Sequence, residues 1–400
     1  MPASADAEDA GDRLPVITPS AVALGLRCMV LGAALVGLYG GGWLSIAPNR
    51  LMPGEALAAA AVLGPWTHAA ALLTASAVAL GCSRRTGAAP AAFVLLLILA
   101  VGLLVLTGLG AGDLIQGRSA AARAMVGAGF WITLASLAIL LVEDGRNLRA
   151  GWVAACLALA VAALAVSRRA GVFDALSLFV EFRARADAFE AAVLRHLALS
   201  GTALLLALAV SFPLGWLAFR SRRIRSGVDA ALSAIQVVPA VALFGLLVSL
   251  LSLGLAAWPA LRSLGLAAIG PVPALIGIAC YLALPLTRSI TAGFLSPDAS
   301  VIEAARAMGM STQRIAWEVR LPLGLPIFVG GLRVALVQSI GLMTLGGLVG
   351  AGGLGALVFE GMSQFASDLI LLGSAPIVVI AILADVLLRS AQSVMARPLS

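Results

Sequence analysis

The sequence predicts an all-α, polytopic membrane protein of about ten transmembrane helices, and three observations carry that prediction. The chain has 400 residues, of which 61% are hydrophobic and only 11% charged, with a mean hydropathy of +1.06. Soluble domains are about half apolar and a quarter charged. The apolar runs reach the roughly 20 residues a helix needs to cross hydrocarbon, and they are continuous, not alternating, which argues against a β-barrel. The third observation is the distribution of charge: every one of the 26 basic residues is arginine, and most lie in short segments between apolar runs. That is the pattern of membrane topology and not of a nucleic-acid surface, despite the net charge of +7.

Taken in order, residues 1–20 (MPASADAEDAGDRLPVITPS) are acidic, polar and proline-containing, and lack the basic leading region of a cleavable signal. They read as a polar cytoplasmic tail. Apolar windows then place spans near 21–46, 60–82, 91–110, 126–142 and 150–167, which form an N-terminal module over 21–167. Residues 168–196 break the pattern with mixed charges, including Asp174, Glu181, Asp187 and Glu190, and read as an amphipathic connector lying on the outer surface. Five further spans follow near 197–219, 229–254, 270–290, 326–349 and 369–390, within a second module over 197–395 that holds a polar loop at 291–325. Arg84 and Arg85, Arg146 and Arg149, the run from Arg220 to Arg225, then Arg306, Arg314, Arg320 and Arg397 fall on one side if both termini are cytoplasmic. The excess of arginine on that side favours this orientation.

The polar loop contains the stretch that asks for an explanation, "LSPDASVIEAARAMGMSTQRIAWEVRLPLGLP". Ser300 and Glu303 have the spacing of a capping box, which predicts a helix from Val301, and Gly309 can close it in the left-handed conformation. Ser311 or Thr312 can cap a second short helix that ends at Pro322, with Pro326 at the entry to the next span. Local physics alone leaves this helix pair a solvated connector. Its apolar residues Val301, Ile302, Ala305 and Met308, set beside the charges, also offer a face suited to a groove on a partner.

Other features are weighed in the same way. Gly350, Gly352 and Gly355 satisfy GxGxxG, but they follow a membrane span and not a strand, which argues against a dinucleotide site and for a flexible outer turn with Gly353, where glycine serves either helix-end packing or hinge movement. Pro239 and Pro285 fall within predicted spans, where proline kinks a helix. Gln236, close to Pro239, is an uncharged polar side chain within a predicted span. Asp385 is the main ionisable residue within a span, and Arg389 four residues on is its simplest partner. Few carboxylates are available to bind a coupling ion, which points to another energy source. The chain has no lysine and no GxxxxGK[ST] loop, so it cannot itself be the ATPase. His68 and His196 are far apart, and Cys28, Cys82, Cys156 and Cys280 form no CxxC pair, so no metal site is predicted.

Glu303, Ala304 and Ala305, followed by Gly309 and by Leu321 and Pro322 at this spacing, resemble the EAA loop of permease subunits of bacterial binding-protein-dependent ABC importers. "IQVVPAVALFGLL" at 235–247, "ALPLTRSITAGFLSPD" at 283–298 and "TLGGLVGAGGLGALVFEGM" at 344–362 are similar to the glycine betaine, choline and osmoprotectant branch. The resemblance covers about 197–395, half the chain, and the first five spans look like those of a longer variant. It implies a type I importer permease core in the bacterial inner membrane, working with a cytoplasmic ABC ATPase, a periplasmic substrate-binding protein and a second permease, identical or paralogous. ATP and magnesium would be used by the partner ATPase, with no cofactor in this chain. Coupling would rest on Glu303, Ala304, Ala305, Arg306, Gly309, Arg314, Leu321 and Pro322, with Arg306 and Arg314 as candidate salt-bridge partners across that interface. The path or gate would involve Gln236, Pro239, Gly350, Gly352, Gly353 and Gly355. No aromatic cage for a quaternary ammonium is evident, which assigns recognition to the binding protein. Methionine or another small amino acid derivative is the alternative substrate, and an ion-coupled secondary carrier the alternative class.

Overall fold

The computed structural model describes residues 19–395 apart from 50, 51, 53, 84–86, 120 and 147. Most of the predicted polar tail, and Arg84, Arg85 and Arg397, lie outside the described residues. The chain divides into two compact units, residues 1–180 and 181–400.

The first unit is built from α1 (Pro19–Gly40), α2 (Ala59–Leu63), α3 (Trp66–Cys82), α4 (Ala88–Ile115), α5 (Ala128–Gly145) and α6 (Ala150–Arg169). The predicted first span stops short, because Gly40, Gly41 and Gly42 weaken the helix and the chain turns into β1 (Gly42–Ala47). Strands β2 (Glu55–Ala58) and β3 (Arg123–Val126) flank it antiparallel in the order β2-β1-β3, with Leu44 opposite both Leu57 and Val126. This small sheet adds to a helical fold. Trp43 on β1 is fully buried, donates its indole N–H to Thr107 Oγ1 at 2.9 Å and packs edge-on against Phe130. The second predicted span is broken at Gly64 and Pro65, so its membrane-crossing portion is the 17-residue α3.

The second unit comprises α8 (Ala186–Arg220), α9 (Arg222–Val237), α10 (Ala240–Ala257), α11 (Pro271–Leu295), α12 (Ala299–Ala307), α13 (Thr312–Ile315), α14 (Leu321–Gly346), α15 (Leu354–Ser363) and α16 (Ser367–Met395). A short helix α7 (Ser177–Ala184) spans the boundary between the units. The predicted surface helix over 168–196 is therefore several pieces. It takes in the end of α6, a turn at Gly171, then α7, and its last residues are the first three turns of α8. At 35 residues α8 is about 52 Å long, well beyond the roughly 30 Å of hydrocarbon, so its charged first turns need not sit in lipid.

The core of this unit forms where α8, α11 and α14 meet, around Ala203, Ala207, Ile278, Leu282, Leu286, Ala335 and Met343. Small residues bring the helices close, and hydroxyls bind across them: Ser339 donates to Ser200 O at 2.8 Å and Thr291 to Gly215 O at 3.1 Å. Among the described residues nine helices are long and apolar enough to cross a membrane; with α3 they account for the ten predicted spans. The predicted span at 229–254 is corrected. Pro239 does not kink a helix but stands as the N-cap between α9 and α10, because it brings no N–H to continue the ladder. Pro285 does lie inside its helix, as do Pro213, Pro326 and Pro376.

Candidate functional site

The polar loop between α11 and α14 folds as a helix pair. Helix α12 begins at Ala299, not Val301, with Asp298 as its N-cap and no side-chain capping bond, so Ser300 and Glu303 do not form the predicted box. The helix ends where Met308 N–H donates to Ala304 O and Met310 N–H to Ala305 O, with Gly309 at φ 82°. A residue with a Cβ is strained in that conformation, which is why glycine stands there. Ser311 caps α13 by accepting from Arg314 N–H at 3.3 Å.

The second helix does not stop at Pro322. It passes through a π-helical turn at Ala316–Arg320 straight into α14. Pro322 leaves the Glu318 carbonyl without its α-helical donor, which accounts for irregular winding at this point. The helix pair is thus joined rigidly to a membrane span.

Burial divides the predicted coupling residues. Ile302 and Ala305 are buried against Ile315, with Met310 and Val319 around them, so both are removed from the predicted docking face and hold the pair together. The outward face is Val301, Glu303, Ala304, Ala307 and Met308, the last 75% exposed. Glu303 and Arg306 are exposed and form no ion pair among the described residues. Arg314 is instead paired with Glu318, one turn on, at 2.8 Å. Leu321 and Pro322 lie beyond the pair, at the start of α14, beside an apolar cavity.

The glycine turn stands at the other end of α14. Gly350, Gly352 and Gly353 all have positive φ, and Ala351 between them is fully buried. Arg195 of α8 donates Nε–H to Ala351 O at 2.7 Å, and His196, fully buried, meets Ile340 O at 3.0 Å through Nε2. A Cβ on Gly353 would lie 3.2 Å from His196. The predicted flexible turn is accordingly a pinned one. Nearby, Arg185 joins Glu360 at 2.8 Å and Glu181 at 3.6 Å. Gln236 donates its side-chain N–H to Tyr281 O at 2.9 Å, while the Tyr281 hydroxyl donates to Val238 O, so the corner at Pro239 is latched to α11 from both sides.

The sequence missed three sites of ion pairing. Asp385 pairs with Arg333 of α14 at 3.2 Å and not with Arg389, which is exposed. Arg288 of α11 pairs with Asp229 of α9 at 3.1 Å. In the first unit Arg27, buried in α1, joins Glu143 and Asp144 of α5. Each isolated arginine within an otherwise apolar run was the available signal.

A bundle of apolar helices that carries a short polar helix pair between two spans, wound directly into one of them, defines a polytopic membrane protein with an exposed polar element joined to a span. Comparison with known proteins places it further. Residues 196–399 match the family described as binding-protein-dependent transport system inner membrane component, and residues 23–179 match the N-terminal domain of the ABC transporter permease YehY. The chain belongs to this family of ABC importer permeases, with the additional N-terminal domain. It is 35% identical over 202 residues to the osmoprotectant import permease protein OsmW of Salmonella typhimurium, covering 50% of this chain and 88% of that one. It is also 35% identical over 195 residues to the glycine betaine/carnitine/choline transport system permease protein OpuCD of Bacillus subtilis, covering 48% and 78%. Among solved structures, a chain of the MetNI methionine ABC transporter in an inward-facing conformation aligns with a TM-score of 0.44 at 22% identity, covering 52% of this chain and 96% of that one.

Proposed function

We propose that the chain forms the translocation path of an ATP-driven importer for a small osmoprotectant such as glycine betaine or choline. The observation that carries the substrate class is the similarity of the C-terminal half to permeases named for these solutes. Two permeases, identical or paralogous, would face each other in the inner membrane with both termini of each cytoplasmic, above two ATPase subunits and below one binding protein. ATP and magnesium would act in the ATPase alone.

Coupling would run through the outward face of α12. Glu303, Ala304 and Met308 would seat in a cleft of the ATPase with Arg306 at its edge, while Ala305 and Gly309 keep the helix in shape. Because α13 winds directly into α14, a pull on the pair is a pull on that span. Arg314, Leu321 and Pro322 would transmit this motion and not contact the partner. At the far end Gly350, Gly352, Gly353 and Gly355 would shape the outer gate, and the corner at Gln236 and Pro239 would border the path.

The test is uptake of labelled glycine betaine and choline by cells carrying the complete transporter. Uptake that requires the binding protein and stops on ATP depletion supports the proposal. Uptake that survives ATP depletion and collapses with the ion gradient would replace it with a secondary carrier.

A further inference from the structure

Beside the helix pair, reached from Ile302 and Arg306, lies a cavity of about 780 Å³ between the end of α8 and the turn that leads into α14. Its walls combine Trp216, Phe219 and Trp317 with three arginines, Arg220, Arg306 and Arg320. The aromatic rings form one cluster, with Trp216 stacked on Trp317 at 5.2 Å and edge-on to Phe294 at 5.1 Å. Arg320 donates to Phe294 O at 2.8 Å and lies 5.3 Å over the Phe219 ring. Among the described residues no carboxylate pairs with any of the three arginines, and Glu318 is already taken by Arg314. Arg306 and Arg320 line the same space, and like charges so placed disfavour leaving it without a counter-charge. The protein itself therefore supplies no negative charge to neutralise these three guanidinium groups among the described residues.

A second cavity of about 250 Å³ adjoins it, sharing the wall of Phe212. Ile290, Phe294, Leu325 and Phe328 line it, and every side chain around it is apolar. Cations beside an aromatic band, next to an apolar slot between membrane helices, match an amphiphile with an anionic head. A soluble anion would use the first cavity and leave the second without a role.

We propose that this groove binds one anionic membrane lipid, with its phosphate held by Arg220, Arg306 and Arg320 and an acyl chain lying in the apolar slot. The lipid would brace α12 from this side while its outward face remains open to a partner.

The experiment uses the full chain, purified in detergent and stripped of lipid. It is then offered phosphatidylglycerol, phosphatidylcholine or inorganic phosphate, and retained ligand is counted by native mass spectrometry. Phosphatidylglycerol should be retained about tenfold over phosphatidylcholine, and less as salt rises. Arg220→Gln combined with Arg306→Gln should weaken it about thirtyfold, since each arginine near an anionic lipid contributes about 1 kcal/mol. The corresponding lysine replacements should retain most of the binding. Leu325→Trp, which fills the slot, should reduce lipid retention and leave phosphate binding unchanged. Equal retention of the two lipids, phosphate binding as tight as phosphatidylglycerol, or indifference of the wild type to salt would each overturn the proposal. So would release of the lipid when the ATPase subunit is added, because an acidic side chain of that partner would then be the natural occupant. Melting temperatures of all variants separate lost binding from lost folding.

Discussion

Two turns stand at opposite ends of the 26-residue α14, and they treat charge in opposite ways. At the glycine turn the polar groups are bound within the chain, Arg195 to Ala351 O, His196 to Ile340 O, and Arg185 to Glu360. At the helix pair Glu303 and Arg306 are exposed and unpaired, although apolar residues beneath them are well packed. A turn that satisfies itself holds its shape without help. One that leaves ionic groups open on a firmly packed base is, on the proposed reading, the place where a partner docks.

The difference can be broken or sharpened by substitution. Changes at the glycine turn should lose stability, whereas changes at the helix pair should lose coupling with little loss of stability. Gly353→Val should cost the most, about 3 kcal/mol, because it combines a strained φ of 72° with a Cβ 3.2 Å from His196. A fall in melting temperature and in membrane abundance would show it. Arg195→Met should cost about 2 kcal/mol through loss of a charged hydrogen bond to Ala351 O, and protease cleavage near the turn should rise. Gly309→Val meets no neighbouring atom and should cost about 1 kcal/mol from strain alone, yet leave ATP hydrolysis running without uptake. Glu318→Ala breaks only an exposed pair with Arg314 and should change melting by under about 0.5 kcal/mol. If Gly353→Val left melting unchanged, or Gly309→Val unfolded the chain, the contrast between the two ends would fail.

The spans were legible because hydropathy responds to lipid and not to tertiary detail. Their breaks were not legible even where glycine and proline mark them. Gly64 with Pro65 splits a run read as one span, and Pro239 was seen but read as a kink, since a proline alone does not say whether its neighbours realign. The β1 strand was hidden because Trp43, Leu44 and Ile46 are as apolar as the helix before them. In the helix pair Gly309 was legible from its chemistry, but the buried face was not. Apolar residues at 301, 302, 305 and 308 fall in one arc of about 120°, and only the packing of Ile315 decides which part of that arc is buried. Asp385 illustrates a further limit. A partner four residues away is visible in any sequence, whereas Arg333 becomes its neighbour only through the packing of α14 on α16.

The most direct test of the account is a quantitative pull-down from native membranes, comparing the wild-type chain with Glu303→Arg. Reversing a charge that pairs across an interface costs about 2 kcal/mol, which is about thirtyfold in affinity. The account predicts that an ATP-hydrolysing subunit co-purifies with the wild type and is largely lost from the variant, while the melting temperature of the chain is unchanged. Equal recovery of that subunit with both chains, or its absence from both, would contradict the assignment of α12 as the docking helix.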